Sequence, residues 1–279
     1  MKGALVSIEA AASGLSSKER KAADFILQHS SEVVRMSLQQ LAAASEVSEA
    51  TIMRLCRSLK FEGYTDMKLR ITADLSAVGE ENHEYQPFQV GQLMKEVMES
   101  VTNNNMKSLK DTLAVIDEEI VEAAVQCMNR ARKIAVFGVG ASAIIAEDFK
   151  LKVNRINKWC ETAYSGDMQA VVAANLNEQD VVIGISYSGN NNDVLHALKV
   201  AKKNGAKIIS LTHFGTSPIA DQADYQLFTS SLEQNFRKGA MASRIAQLNV
   251  IDMLYVGMVI QNYDSSIESI ERTREAIKH

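Results

Sequence analysis

The chain has 279 residues, enough for two domains of ordinary size, with 46% hydrophobic residues, 23% charged residues and a formal net charge of −4. No global basic excess points to nucleic acid, no apolar run reaches the roughly 18 residues of a membrane span, and Met1 to Glu9 lacks the apolar core of a signal peptide. Cys56, Cys127 and Cys160 form neither a CxxC pair nor an even set, which fits a reducing cytoplasm.

Residues 1–77 predict helices with short gaps and hold ten Lys/Arg against nine Asp/Glu, so the acidic excess lies in the rest of the chain. Ser16 and Glu19 stand in capping-box spacing, followed by Ala22, Ala23, Ile26 and Leu27 at helical spacing. Ser37 can cap a short helix with Leu38, Leu41 and Ala42 inward. Val47 plugs a turn, and Ser48 caps a second helix with Ile52, Leu55 and Leu59 inward. That helix would present Glu49, Ala50, Thr51, Arg54 and Arg57 outward, with Lys60, Lys68 and Arg70 extending a basic surface. Short polar residues at a recognition helix's start reach base edges in the major groove, and arginines read guanine or hold phosphates. A small helical domain with solvated arginines has the same spacing. Glu46 stands at a turn position that favours glycine, and Met53 and Cys56 read as packing residues.

Residues 78–90 lose periodicity around Pro87 and read as a linker. Residues 91–130 predict two helices split near Asp117. From 132 onward, short β-branched runs alternate with helical stretches: strands at 132–137, 158–162, 180–185, 206–212 and 224–229, helices at 142–156, 166–175 and 191–204, then long helices over 238–279. This alternation predicts a parallel sheet between helical layers, with ligands at the carboxyl ends of the strands.

Two glycine-and-serine loops sit at such ends. One is Gly138-Val139-Gly140-Ala141-Ser142; the other is Ser186-Tyr187-Ser188-Gly189-Asn190-Asn191. Glycine permits close approach, and a helix start supplies N–H groups that favour an anion. Ser142, Ser186, Ser188 and Asn191 can add side-chain donors, so the pair predicts a phosphate pocket. The first loop is also half a dinucleotide fingerprint, but Ala143 stands at the third glycine position. For a catalyst, His213 follows a strand and Glu233 follows the last one. A loop histidine is more often a surface residue, and Glu233 could equally cap a helix. No spacing for metal ligands appears, and no cofactor is expected.

The motifs Ser17–Ile26, Val47–Arg57 and Phe61–Lys68, with Gly138-x-Gly140-x-Ser142, Ser186-x-Ser188-Gly189 and Ser243–Leu248, together resemble the RpiR family of bacterial regulators. The resemblance covers nearly the whole chain. It implies an all-α helix-turn-helix N-terminal domain (1–77), a linker (78–90) and an α/β, three-layer, parallel-sheet sugar isomerase (SIS) domain (91–279) that binds ligand and dimerises. It implies a cytoplasmic homodimer, or a tetramer of two such dimers, that represses a sugar operon by binding double-stranded operator DNA, with no membrane involved. A phosphorylated sugar is the effector. In such domains the positions matching Ser142, Ser186 and Ser188 hold the phosphate, with Gly140 and Gly189 beside them, and Glu233 contacts the sugar. The family usually has threonine at Asn191, and glycine at Glu46 and Lys60. The amide and carboxylate groups of Asn190–Asn192 and Glu233 favour an N-acetylated amino sugar, such as N-acetylmannosamine 6-phosphate. The rival expectations are a phosphosugar isomerase with a helical extension, using Glu233 or His213, and a module that only oligomerises.

Overall fold

The computed structural model describes residues 3–76, 91–230 and 241–278. The expected linker and Glu233 lie outside these residues. The chain forms two compact units, one built mainly from the N-terminal helices and the other from the α/β region.

The first unit contains α1 (Ala4–Ala11), α2 (Ser17–Gln28), α3 (Ser30–Val33), α4 (Leu38–Ala44), α5 (Glu49–Ser58), α6 (Tyr64–Ser76) and α7 (Met94–Val115). Both expected capping boxes form. The Ser16 side chain accepts from the Glu19 N–H and that of Ser37 from the Gln40 N–H, while Glu19 and Gln40 bond back to the cap N–H groups. These caps satisfy donors that a helix start leaves orphaned. The core beneath contains Ile8, Ala22, Ala23, Ile26, Val33, Leu41, Ile52, Leu55, Met67 and Ile71, all buried.

The second unit contains α8 (Glu118–Arg130), β1 (Ile134–Phe137), α9 (Ala141–Asn154), β2 (Cys160–Ala163), α10 (Gly166–Ala174), β3 (Val181–Ser186), α11 (Asn192–Lys203), β4 (Lys207–His213), β5 (Tyr225–Thr229), α12 (Ala242–Gln261) and α13 (Tyr263–Ala276). The five strands are all parallel, in the order β2-β1-β3-β4-β5. Alternate residues feed opposite faces, as a two-residue period requires. Ile134, Val136, Ile183 and Ile185 pack with α8, α9 and α12, whereas Ala135, Phe137 and Val182 pack with α10 and α11. The result is the expected three-layer α/β arrangement.

Two expectations are corrected here. β2 starts at Cys160 rather than 158, because α9 ends in a left-handed turn at Asn157 (φ 60°) whose next N–H, from Lys158, bonds back to the Val153 carbonyl at 3.1 Å. Also, α12 is 20 residues long and apolar enough, by length and composition, to cross a membrane. Its Ala246, Val250, Ile251, Leu254 and Met258 are buried, and four of them join the sheet's core, so here it is a core helix.

Candidate functional site

The helix-turn-helix is α4 and α5. The turn between them is built by backbone bonds: Val47 N–H to the Ala42 carbonyl (2.9 Å) and Glu46 N–H to the Ala43 carbonyl (3.1 Å). This paired pattern requires a left-handed residue, and Glu46 supplies it at φ 51°. Its carboxylate pairs with Lys21 of α2, and that bond and charge hold its pKa below the usual value. Ser48 caps α5, accepting from the Thr51 N–H at 3.2 Å.

Glu49, Ala50, Arg54, Arg57 and Lys60 are exposed, and so is the Ser48 cap. Thr51 is not. It is fully buried, its hydroxyl lies 2.9 Å from that of Ser48, and it accepts a bond from the Arg54 guanidinium at 3.3 Å. The expected base contact at Thr51 is therefore corrected: it sits on the inner side of α5, one residue before Ile52, and orients Arg54 instead. Lys68 and Arg70 do not extend the basic surface either. Lys68 donates to the Met36 carbonyl (2.7 Å) and Arg70 to Asp66 (2.9 Å), so both tie the unit together. Burial pushes the Cys56 thiol up to about 11 and the Cys160 thiol up to about 12, which keeps both protonated and inert, as packing residues should be.

In the second unit, strand order creates the site. β1 lies between β2 and β3, so the sheet's winding reverses beside it. Ligands of open parallel sheets bind at the carboxyl ends of strands flanking such a reversal. The two loops follow β1 and β3, whose last paired residues are Phe137 and Gly184. Loops fifty residues apart in sequence are thereby set side by side.

Each loop is held by specific contacts. A Cβ on Gly138 would lie 2.6 Å from the Ser142 carbonyl oxygen, so only glycine lets the chain fold back into α9. Gly140 (φ 62°) is exposed at the helix start, and Ser142 is buried in the first turn. Ser186 is buried at the end of β3. Ser188 is exposed; its oxygen accepts from the Asn190 N–H at 3.3 Å, which leaves its proton available to an anion. Gly189 (φ 65°) packs against Ser217, where a Cβ would come within 2.2 Å of the hydroxyl. Asn191 caps α11, its carbonyl oxygen accepting from Val194 N–H at 3.0 Å, so only its amide N–H groups remain for a ligand. The first-turn N–H groups of α9 and α11 complete an anion cradle of the kind helix starts provide.

Sequence reasoning missed Gln169. It is fully buried on α10, and its amide donates to the Gly138 carbonyl (2.9 Å) and the Ala163 carbonyl (3.0 Å), pinning the first loop to the end of β2. A glutamine among Val172 and Ala173 on a buried face was the available signal. His213, the rival reading's catalyst, ends β4 half-buried with its ring edge-on to Tyr187 at 5.1 Å. No group of three or more metal-binding side chains occurs among the described residues.

A helix-turn-helix unit beside an α/β unit with a two-loop anion cradle defines a class of DNA-binding regulators that carry a phosphosugar-binding domain. The comparisons agree. The helix-turn-helix domain of the rpiR family matches residues 2–78, and the SIS domain matches residues 128–257. An HTH-type transcriptional regulator of Caldanaerobacter subterraneus subsp. tengcongensis is 36% identical over 99% of this chain and 98% of its own length. The HTH-type regulator YbbH of Bacillus subtilis is 32% identical over 99% of this chain and 97% of its own length. The chain belongs to the RpiR family of transcriptional regulators. Among solved structures, the Vibrio vulnificus NanR protein complexed with ManNAc-6P is 27% identical, with a TM-score of 0.62 over 98% of this chain and 97% of that one. The sugar isomerase domain of an RpiR transcription factor from Sphaerobacter thermophilus, 23% identical with a TM-score of 0.60, shares the α/β fold.

Proposed function

We propose that this protein is a cytoplasmic repressor of a sugar or amino-sugar catabolic operon. It binds an inverted-repeat operator as a homodimer, and a phosphorylated sugar controls it. Residues 1–77 read DNA through Ser48, Glu49, Arg54, Arg57 and Lys60, residues 78–90 join the domains, and residues 91–279 sense the effector. The observation that carries the reading is the adjacency of the two loops at the ends of β1 and β3. They gather Gly140, Ser142, Ser186, Ser188, Gly189 and the Asn191 amide around two helix starts, with hydroxyl and N–H donors suited to a phosphate monoester.

The effector class is an N-acetylated amino sugar 6-phosphate, with N-acetylmannosamine 6-phosphate as the first candidate. Its support is the bound molecule of the NanR relative, together with the amides of Asn190–Asn192 and the carboxylate of Glu233. The protein binds this sugar without turning it over. Effector binding shifts the spacing of the two recognition helices, and an inverted repeat read by a two-fold dimer loses affinity when that spacing changes.

Thermal unfolding across a panel of sugar phosphates and their unphosphorylated parents tests this. An effector at about 100 times its Kd stabilises by roughly 2.7 kcal/mol. A shift with a phosphorylated amino sugar and none with its parent is expected. Equal shifts with both sugars would sink the phosphate reading, and conversion of the sugar during incubation would turn the assignment to the isomerase.

A further inference from the structure

The 22-residue helix α7 is turned inside out. Its buried side is polar: Ser100, Asn104, Ser108, Asp111 and Thr112. These groups are used within the first unit. Ser108 and Thr112 donate to the Ser230 carbonyl at 3.1 and 3.2 Å, Ser230 N–H donates to Thr112 at 3.1 Å, and Lys107 pairs with Asp111 at 3.0 Å. The large apolar side chains point the other way. Met94 is 72% exposed, Met98 65% and Leu113 66%; Met106 is exposed too, and Val101 and Leu109 are half-buried. A globular helix normally buries its apolar stripe, and a contiguous exposed one marks an interaction surface.

The stripe is also symmetric along the chain. Met94, Met98, Val101, Met106, Leu109 and Leu113 are separated by four, three, five, three and four residues. Reversed end to end, the spacing is unchanged. An isologous contact demands this property: each residue of one copy must meet a fitting residue of the other about a two-fold axis. An antiparallel pair of α7 helices centred between residues 103 and 104 sets Met94 opposite Leu113, Met98 opposite Leu109 and Val101 opposite Met106. Thr102 meets Asn105 at the centre, a polar pair that fixes register as a lone polar position does in coiled coils. Charge agrees as well. Glu99 and Lys110 share one flank of the stripe, and in this register Lys110 of one copy lies within two residues' rise of Glu99 of the other. A parallel pair would set like charges against each other.

We infer that α7 is the seam of an antiparallel homodimer, with its apolar stripe paired against the same stripe of a second copy. The inference rests on the homodimer of the proposed function and names the surface that forms it. The seam is about 33 Å long, at 1.5 Å per residue.

The test uses the full chain, with mass measured by sedimentation at tens of micromolar. The wild type sediments at twice 30.7 kDa. Met98→Glu places a carboxylate against Leu109 on both sides of the axis and weakens dimerisation at least tenfold. The double variant Met98→Glu, Leu109→Lys sets opposite charges at facing positions and restores the dimer. Circular dichroism shows that each variant is folded, and Met67→Leu, a swap in the core away from the stripe, leaves the mass unchanged. A monomeric wild type overturns the dimer and the seam together. A Met98→Glu variant that remains dimeric overturns the seam alone and leaves the dimer reading intact. A Met98→Glu variant of unchanged mass but lowered melting temperature assigns the stripe to a contact within the chain, and it too overturns the inference. Failure of the double variant to recover overturns the antiparallel register.

Discussion

Two residues of the DNA-reading unit hold a backbone that side chains disfavour. Glu46 (φ 51°) and Lys60 (φ 60°) each end a helix in the same paired pattern, and for Lys60 the bonds run from its own N–H to Arg57 (3.0 Å) and from Phe61 N–H to Cys56 (2.9 Å). The left-handed conformation costs a non-glycine residue about 1–2 kcal/mol, part of which glycine returns as chain entropy. Lys60→Gly is therefore expected to raise stability by about 0.5–1 kcal/mol in urea unfolding. If Lys60 holds a DNA phosphate, the same variant binds its operator more weakly, with a salt-dependence slope shallower by about 1. A variant neither more stable nor weaker on DNA would show that Lys60 is retained for neither reason. Glu46 carries the same strain, yet its carboxylate reaches Lys21, so its replacement by glycine removes a tie between α2 and the turn. Thr51 shows how one residue changes meaning with burial: a polar side chain at the start of α5 looks like a base reader until its hydroxyl is seen bonded to Ser48 and Arg54.

At the scale of elements, two packing features carry measurable consequences. Gly138 is the pivot between β1 and α9, and a methyl group there meets the Ser142 carbonyl at 2.6 Å. Gly138→Ala is expected to displace the first loop and cost the overpacking range of about 1–3 kcal/mol, and to remove the effector's thermal shift. A variant that keeps the full shift would place the effector away from this loop. In the first unit, Glu9 is raised from its usual 4.5, chiefly by burial; the charge of Lys107 opposes the rise and that of Asp111 adds to it. A raised carboxyl means that the folded chain holds its proton to higher pH than the unfolded chain does, so this group's contribution falls as pH rises from 4.5 through its folded value. The stability of Glu9→Gln relative to wild type should then grow between about pH 4 and pH 7. A difference that stays constant over that range would mean that Glu9 is not penalised when charged.

At the scale of the whole molecule, reading DNA and sensing sugar occupy separate compact units. Arg57 is exposed on α5 and is remote in sequence from both loops. Arg57→Ala is expected to weaken operator binding at least tenfold, since a good guanine contact is worth about 1–3 kcal/mol, while leaving the effector's thermal shift unchanged. Operator affinity equal to wild type would remove α5 as the reading element, and a lost thermal shift would show that the units do not act independently.

Much of this was legible in residue patterns because the signals are local. Capping residues such as Ser16 and Ser37, the helical spacing of Ile52, Leu55 and Leu59, and β-branched runs such as Val181–Ile185 fix short-range geometry whatever surrounds them. They determined the element sequence, the two glycine loops and the assignment of each loop to a strand end. Tertiary structure alone decided what lies beside what. Strand order sets β1 against β3 and so turns two weak loop motifs into one site. Packing buries Thr51, brings Gln169 beneath Gly138, and turns the polar side of α7 inward. None of these could be read along the chain. Burial is a property of neighbours many residues apart, and a polar residue that bonds inside the fold looks the same in sequence as one that faces water.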